Sequence, residues 1–169
     1  GFTLENGAAD LIALLGDGSF RDTLGILQKV VGTSDTEKIS ISEVENITGA
    51  PKGSLVNDFI QAIAQAEKEK ALSLIMKVSE NNISMKTFTA LALEKIRLIL
   101  MLKNAPTLAK NLQESVSEDD WKIIENLSKA SESRINSTTL LELIRAYDAM
   151  GKAYIESLPL ELAAIAICA

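Results

Sequence analysis

The sequence predicts an all-α protein, and three observations carry that prediction. Apolar residues recur at spacings of three and four through most of the chain, the period of one helix face. Ser-x-x-Asp and Ser-x-x-Glu pairs stand ahead of several of these stripes, where a hydroxyl caps a helix and an acid suits its positive end. Strand-like alternation occurs at Ile39-Ser40-Ile41-Ser42, and nothing else in the sequence offers it a partner.

The elements follow in order. Leu4 to Leu15 puts Leu4, Ala8, Leu11, Ile12 and Leu15 on one stripe, and Asp17-Gly18 stops it. A second helix runs from Ser19 to Val31, with Leu24, Leu27 and Val31 on one face and a Ser19/Asp22 start. Thr33 to Lys38 is a polar connector. Ser42 and Glu45 read as a capping box for a short helix that carries Val44 and Ile47. Thr48 to Ser54 (TGAPKGS) is the clearest boundary, since Gly, Pro and Gly fall within a few residues.

Beyond that boundary, helices are predicted over Leu55–Ala66, Lys68–Ser79 and Ser84–Lys103. The last of these is apolar nearly all round from Ile96 to Leu102. Such a helix lies at the centre of a bundle or under another subunit. Asn104-Ala105-Pro106 breaks it. Ser117–Ser131 and Thr138–Ile155 follow, the latter with Leu140, Leu143, Ile144, Tyr147 and Tyr154 on one face. Pro159 suits the first turn of a final helix over Leu160–Ile167. The predicted architecture is a small acidic helical unit over residues 1–50, then a five- or six-helix bundle over 51–169.

Composition narrows the function. With 47% hydrophobic and 24% charged residues, the 169-residue chain can fill a core and is not disordered. It contains no histidine, which excludes a Ser-His-Asp triad, a Cys-His pair and histidine metal sites within the chain. Its one cysteine, Cys168, excludes an internal disulfide and reads as a small, inert hydrophobe. Residues 1–50 hold eight acids against three bases, and no basic tract occurs anywhere, so a strong non-specific grip on nucleic acid is not expected. No apolar run reaches membrane-spanning length. Gly1 stands where a start methionine would, so the chain reads as a piece of something longer.

Few residues carry candidate chemistry. Arg21 lies in the first turn of the second helix, where a cation opposes the macrodipole by about 0.3–1 kcal/mol. Two readings stand: an anion site made by the helix start and the guanidinium, or an exposed arginine paired with Asp17 or Asp22. Lys95 and Arg97, inside the apolar helix, either snorkel to solvent or pair across a subunit interface. Asp58, Glu67, Glu69 and Glu80 read as solvated acids, and Glu118, Asp119 and Asp120 as a helix-start run. Trp121 reads as an end-of-bundle core residue. There is no Walker A sequence, no GxGxxG and no nucleophile elbow. Pattern alone reaches an all-helical interaction domain.

Three stretches add a resemblance. Asp17 to Gln28 (DGSFRDTLGILQ) is similar to the "DGS-x-RDAL-x-LLDQ" lid helix of the bacterial DNA polymerase III gamma/tau family, the motor subunits of the sliding-clamp loader. Ile41 to Pro51 (ISEVENITGAP) resembles the segment that ends that lid. Leu158 to Ala163 (LPLELA) resembles the start of the family's last collar helix. The ordered trio spans nearly the whole chain. Thr23 and Gly25 depart from the pattern, which has alanine and a serine-like residue there, and Lys29 follows Gln28 where the pattern ends.

The resemblance implies an AAA+ lid over 1–50 and an oligomerisation collar over 51–169. It implies an ATPase domain ahead of Gly1 and no catalysis by this segment alone. Arg21 would be the sensor-2 arginine, reaching the phosphates of ATP, whose magnesium the preceding domain would hold. Phe20 would flank the nucleotide. The last helix and the Leu98–Lys103 helix (LILMLK) would supply apolar surface for the collar. Implied partners are the delta, delta-prime and gamma/tau subunits, and, through the complete protein, the sliding clamp and primer–template DNA. No membrane is implied, and the bacterial cytoplasm is the expected location. The alternatives are a delta-prime-like subunit, a helicase-loader or recombination-factor ATPase, and a stand-alone helical adaptor with an apolar groove.

Overall fold

A computed structural model describes residues 1–5 and 7–169. Strand β1 (Thr3–Leu4) pairs in parallel with β2 (Lys38–Ile39), and a Glu5–Lys38 ion pair at 3.1 Å ties the same edges. This corrects two expectations. The alternating segment does have a partner, and the first helix starts only at Ala8, so Leu4 belongs to a strand and is partly exposed. Helix α1 (Ala8–Leu15) buries Ala8, Leu11 and Ile12, as the three-four spacing predicts.

Helix α2 (Phe20–Thr33) turns Val30 inward, with Ile26, Leu27 and Val31 half-buried beside it. Leu24, placed on the inner stripe by its spacing, is exposed. Helix α3 (Ile41–Thr48) is capped two residues earlier than predicted. Ser40 accepts from the Glu43 amide at 3.3 Å, and Glu43 accepts from the Ser40 amide at 2.9 Å. Glu45 instead accepts from the Gly53 amide at 2.8 Å, across the Ala50-Pro51-Lys52 link. Gly49 ends α3 with φ 73°, a left-handed cap where a Cβ would be strained.

Seven further α-helices follow among the described residues: α4 (Gly53–Ala64), α5 (Lys68–Glu80), α6 (Met85–Asn104), α7 (Ala109–Gln113), α8 (Glu118–Lys129), α9 (Ser137–Met150) and α10 (Leu158–Ile167). The pattern gave no sign of α7 or of the 3₁₀ turn at Pro106–Leu108 before it. Helix α9 is shorter than predicted. It ends at Met150, so Tyr154 lies beyond it, fully exposed, and its inner face is Thr139, Leu143, Ala146 and Met150.

Helix α6 is the axis of the larger part, packed against α4, α8 and α9, with α10 closing on α9 and α5. Ile96, Leu98, Ile99 and Leu102 are buried by these neighbours. Most of the apolar run is therefore the bundle's own centre, with Leu100 and Met101 half-buried. Phe59 and Phe88 pack tilted, with centroids 5.3 Å apart, and Trp121 packs half-buried against the same cluster.

Buried side chains form two clusters. One gathers Ala8, Leu11, Ile12, Val30, Ile39, Val44 and Ala50, and the other runs from Val56 to Cys168. Leu91 touches both. Between them lies a cleft of about 550 Å³, walled by Leu11 and Leu14 on one side and Val56, Leu98 and Met101 on the other. Among the described residues, no helix is long and apolar enough to cross a membrane.

Candidate anion site at the start of helix α2

The turn between α1 and α2 is built from residues that tolerate unusual backbone. Asp17 and Gly18 are both left-handed, with φ 48° and 79°, and reverse the chain in two residues. Gly16 just before them is needed for space. A Cβ there would meet the Thr23 hydroxyl and lie 2.9 Å from Thr23 Cβ and 3.1 Å from its Cα. The end of α1 thus sits directly on the first turn of α2.

Ser19 caps α2 as predicted. Its hydroxyl accepts from the Asp22 amide at 3.2 Å, and its carbonyl accepts from the Thr23 hydroxyl at 2.9 Å. The amides of Phe20 and Arg21 precede any helical carbonyl that could serve them, so they point along the axis at the positive end of the helix. Arg21 is exposed beside them. Neither pairing open to it in sequence is made among the described residues. Asp17 is engaged by Lys86 at 2.9 Å, and Asp22 sits one position on without an ion pair to Arg21. Phe20 is 78% exposed, with Leu24 exposed one turn later. The site therefore offers amides, a guanidinium and an adjacent aromatic ring, a set that can bind an anionic group carrying a planar or apolar part.

Lys86 is a partner that sequence reasoning did not find. It lies in the first turn of α6, and its ammonium stands 5.3 Å above the centre of the Tyr147 ring of α9. The Asp17 carboxylate raises its pKa above the ordinary lysine value, with Tyr147 acting in the same direction.

Lys95 follows neither predicted course. It neither snorkels nor waits for another subunit. It donates to Asn57 Oδ1 at 2.8 Å and to Asp120 Oδ1 at 2.5 Å, and Asn57 Nδ2 donates to the same carboxylate at 2.9 Å. The sequence held no signal for this triad, whose members lie on α4, α6 and α8. Arg97, at the rim of the cleft, pairs with Glu94 and reaches Met101 Sδ at 3.0 Å, an exposed arrangement. Cys168 is buried, which pushes its thiol up and fits the reading as an inert hydrophobe. Asp58, Glu69 and Glu80 are exposed, and Glu67 binds Lys70 at 2.8 Å.

Fold and sequence similarity now meet. No family model matches the chain. Its fold is similar to that of the Bacillus subtilis DNA clamp loader delta protein (YqeN), with a TM-score of 0.56 over 99% of this chain and 51% of that one, at 19% identity. That likeness defines the class, an all-helical fold of the clamp-loader kind. In sequence, 85 residues, 50% of this chain, are 32% identical to the DNA polymerase III subunit gamma/tau of Mycoplasma genitalium. The matched stretch is 14% of that protein, so the chain corresponds to a small part of its relative. The chain is thus similar to one clamp-loader protein in fold and, over half its length, to another in sequence.

Proposed function

We propose that this chain is the lid and collar of a DNA polymerase III gamma/tau-type clamp-loader subunit. The observation that carries the reading is the 85-residue similarity to gamma/tau, found in a chain whose fold resembles a clamp-loader subunit throughout. Residues 1–50 form the lid and 51–169 the collar. The separate cores on either side of the Pro51 link favour that division.

In this reading Arg21 serves as the sensor-2 arginine. Its guanidinium and the first amides of α2 bind the phosphates of ATP held by a preceding domain, and Phe20 flanks the nucleotide. ATP supplies the phosphate charge that this positive helix start attracts, and its magnesium belongs to the preceding domain. A charge-assisted hydrogen bond of that type contributes about 1.5–3 kcal/mol, enough to bias how the lid closes. The collar assembles with delta, delta-prime and gamma/tau subunits through an apolar face on α10 and α9, where Leu158, Leu162, Ile165, Leu141 and Ile144 are exposed. Contact with the sliding clamp and primer–template DNA belongs to the complete protein.

The test is Arg21→Ala in the complete protein within the reconstituted loader. ATP-driven clamp loading falls by about tenfold, while subunit assembly measured by gel filtration stays intact. Unchanged loading would sink the assignment of Arg21. The segment alone is expected to show no ATP hydrolysis. A delta-like or delta-prime-like subunit is the second reading, favoured by the fold likeness to the delta protein. A GxxxxGK[ST] sequence encoded upstream decides for gamma/tau.

A further inference from the structure

We propose that Lys86 is a positioning residue for Arg21, acting through Asp17 and steadied by Tyr147. The inference rests on the reading of Arg21 as a phosphate-binding residue. Four observations lead to it. Asp17 lies four residues before Arg21, in the two-residue reversal that aims α2. It holds a left-handed backbone that favours glycine, so a side chain at this position costs stability unless it is used. Its carboxylate is used, accepting from Lys86 at 2.9 Å. Lys86 itself opposes the dipole of α6, since it stands in that helix's first turn, and its place there is explained by two partners, Asp17 and the ring of Tyr147 5.3 Å away.

The consequence is mechanical. Two side chains outside either core, Lys86 on α6 and Tyr147 on α9, hold the turn from which Arg21 projects, although the first core supplies the helices on both sides of it. A lysine 69 residues from Asp17 thus biases the direction of the α2 start through an exposed ion pair. Helix α9 also carries Leu141 and Ile144 on its exposed face, so a displacement of α9 reaches Arg21 by way of Tyr147 and Lys86.

The experiment measures the affinity of mant-ATP for the complete protein in four variants: Arg21→Ala, Lys86→Met, Lys86→Arg, and Arg21→Ala combined with Lys86→Met. Arg21→Ala weakens binding by about tenfold. Lys86→Met weakens it by about threefold, with unchanged circular dichroism. Lys86→Arg, which keeps both partners, binds like the parent. The double variant binds like Arg21→Ala alone, because Lys86 acts through Arg21 and the losses are not additive. Unchanged binding by Lys86→Met, or a full further threefold loss in the double variant, overturns the positioning role and leaves the reading of Arg21 standing. Unchanged binding by Arg21→Ala overturns that reading, and the positioning role falls with it.

Discussion

Lys95 and Asp120 form an ion pair inside the protein. The ammonium lies 2.5 Å from the carboxylate, their side chains are 11% and 13% exposed, and Asn57 bonds to both. The pair joins α6 to α8, and with Asn57 it joins both to α4, at the floor of the cleft between the two cores. Its strength lies in its completeness, because a deletion would leave a largely buried polar atom without its partner.

Removing one charge from this triad is therefore severe. Asp120→Ala strands the Lys95 ammonium and is expected to lower the unfolding free energy by about 3 kcal/mol. Asp120→Asn, which keeps an acceptor, costs less. Urea unfolding of the two variants checks this, and a loss for Asp120→Ala below about 1 kcal/mol would place the pair with ordinary surface bridges.

Glu43 is expected to make the small unit sensitive to acid. Its carboxylate accepts from the Ser40 amide first, then from the Ser40, Ser34 and Thr36 hydroxyls, and these bonds hold its pKa below the ordinary carboxylate value. A carboxylate with a lowered folded pKa stabilises at pH above its unfolded value of about 4.3, and that contribution is lost as pH falls through the folded value. Thermal melts between neutral pH and pH 3 are expected to show a steeper loss for the parent than for Glu43→Gln. Parallel curves would show that the capping box does not control acid stability.

Gly16 is required for packing at the α1–α2 junction. Gly16→Ala pushes a methyl into Thr23, and the clash includes the Thr23 backbone, so a rotamer change cannot relieve it. A loss of about 1–3 kcal/mol is expected in chemical unfolding. Thr23→Ala in the same chain recovers only part of it, since alanine removes the hydroxyl and leaves the crowding by residue 23's own Cβ and backbone. Full recovery would mean that the backbone yields more readily than the geometry indicates.

The exposed face of α10 is a test of the collar assignment. Leu158, Leu162 and Ile165 recur at helix spacing on its outer side, and Leu162 is 58% exposed. Leu162→Glu is expected to change stability by less than about 0.5 kcal/mol. In the reconstituted loader it weakens subunit assembly, read by sedimentation. Assembly at parent strength would remove this face from the interface.

Local patterns were enough to establish the helical class, most helix positions and several caps. Ser19 and Ser117 each accept the predicted type of bond, because a cap needs only residues three apart. Arg21 stood out for the same local reason: a cation in a first turn is visible as an anomaly without any fold. Other choices waited for the packed molecule. Two overlapping Ser-x-x-Glu frames precede α3, and the Ser40 frame holds because Ile39 is buried in β2 while Glu45 is taken by the Gly53 amide. The apolar α6 could have faced a neighbour or its own bundle, and packing by α4, α8 and α9 settled it. Lys95 found Asp120, and Lys86 found Asp17, across 25 and 69 residues. Pairings at that range depend on how helices cross, and helix crossing is set by the packing of many side chains together, which no single stretch of sequence encodes.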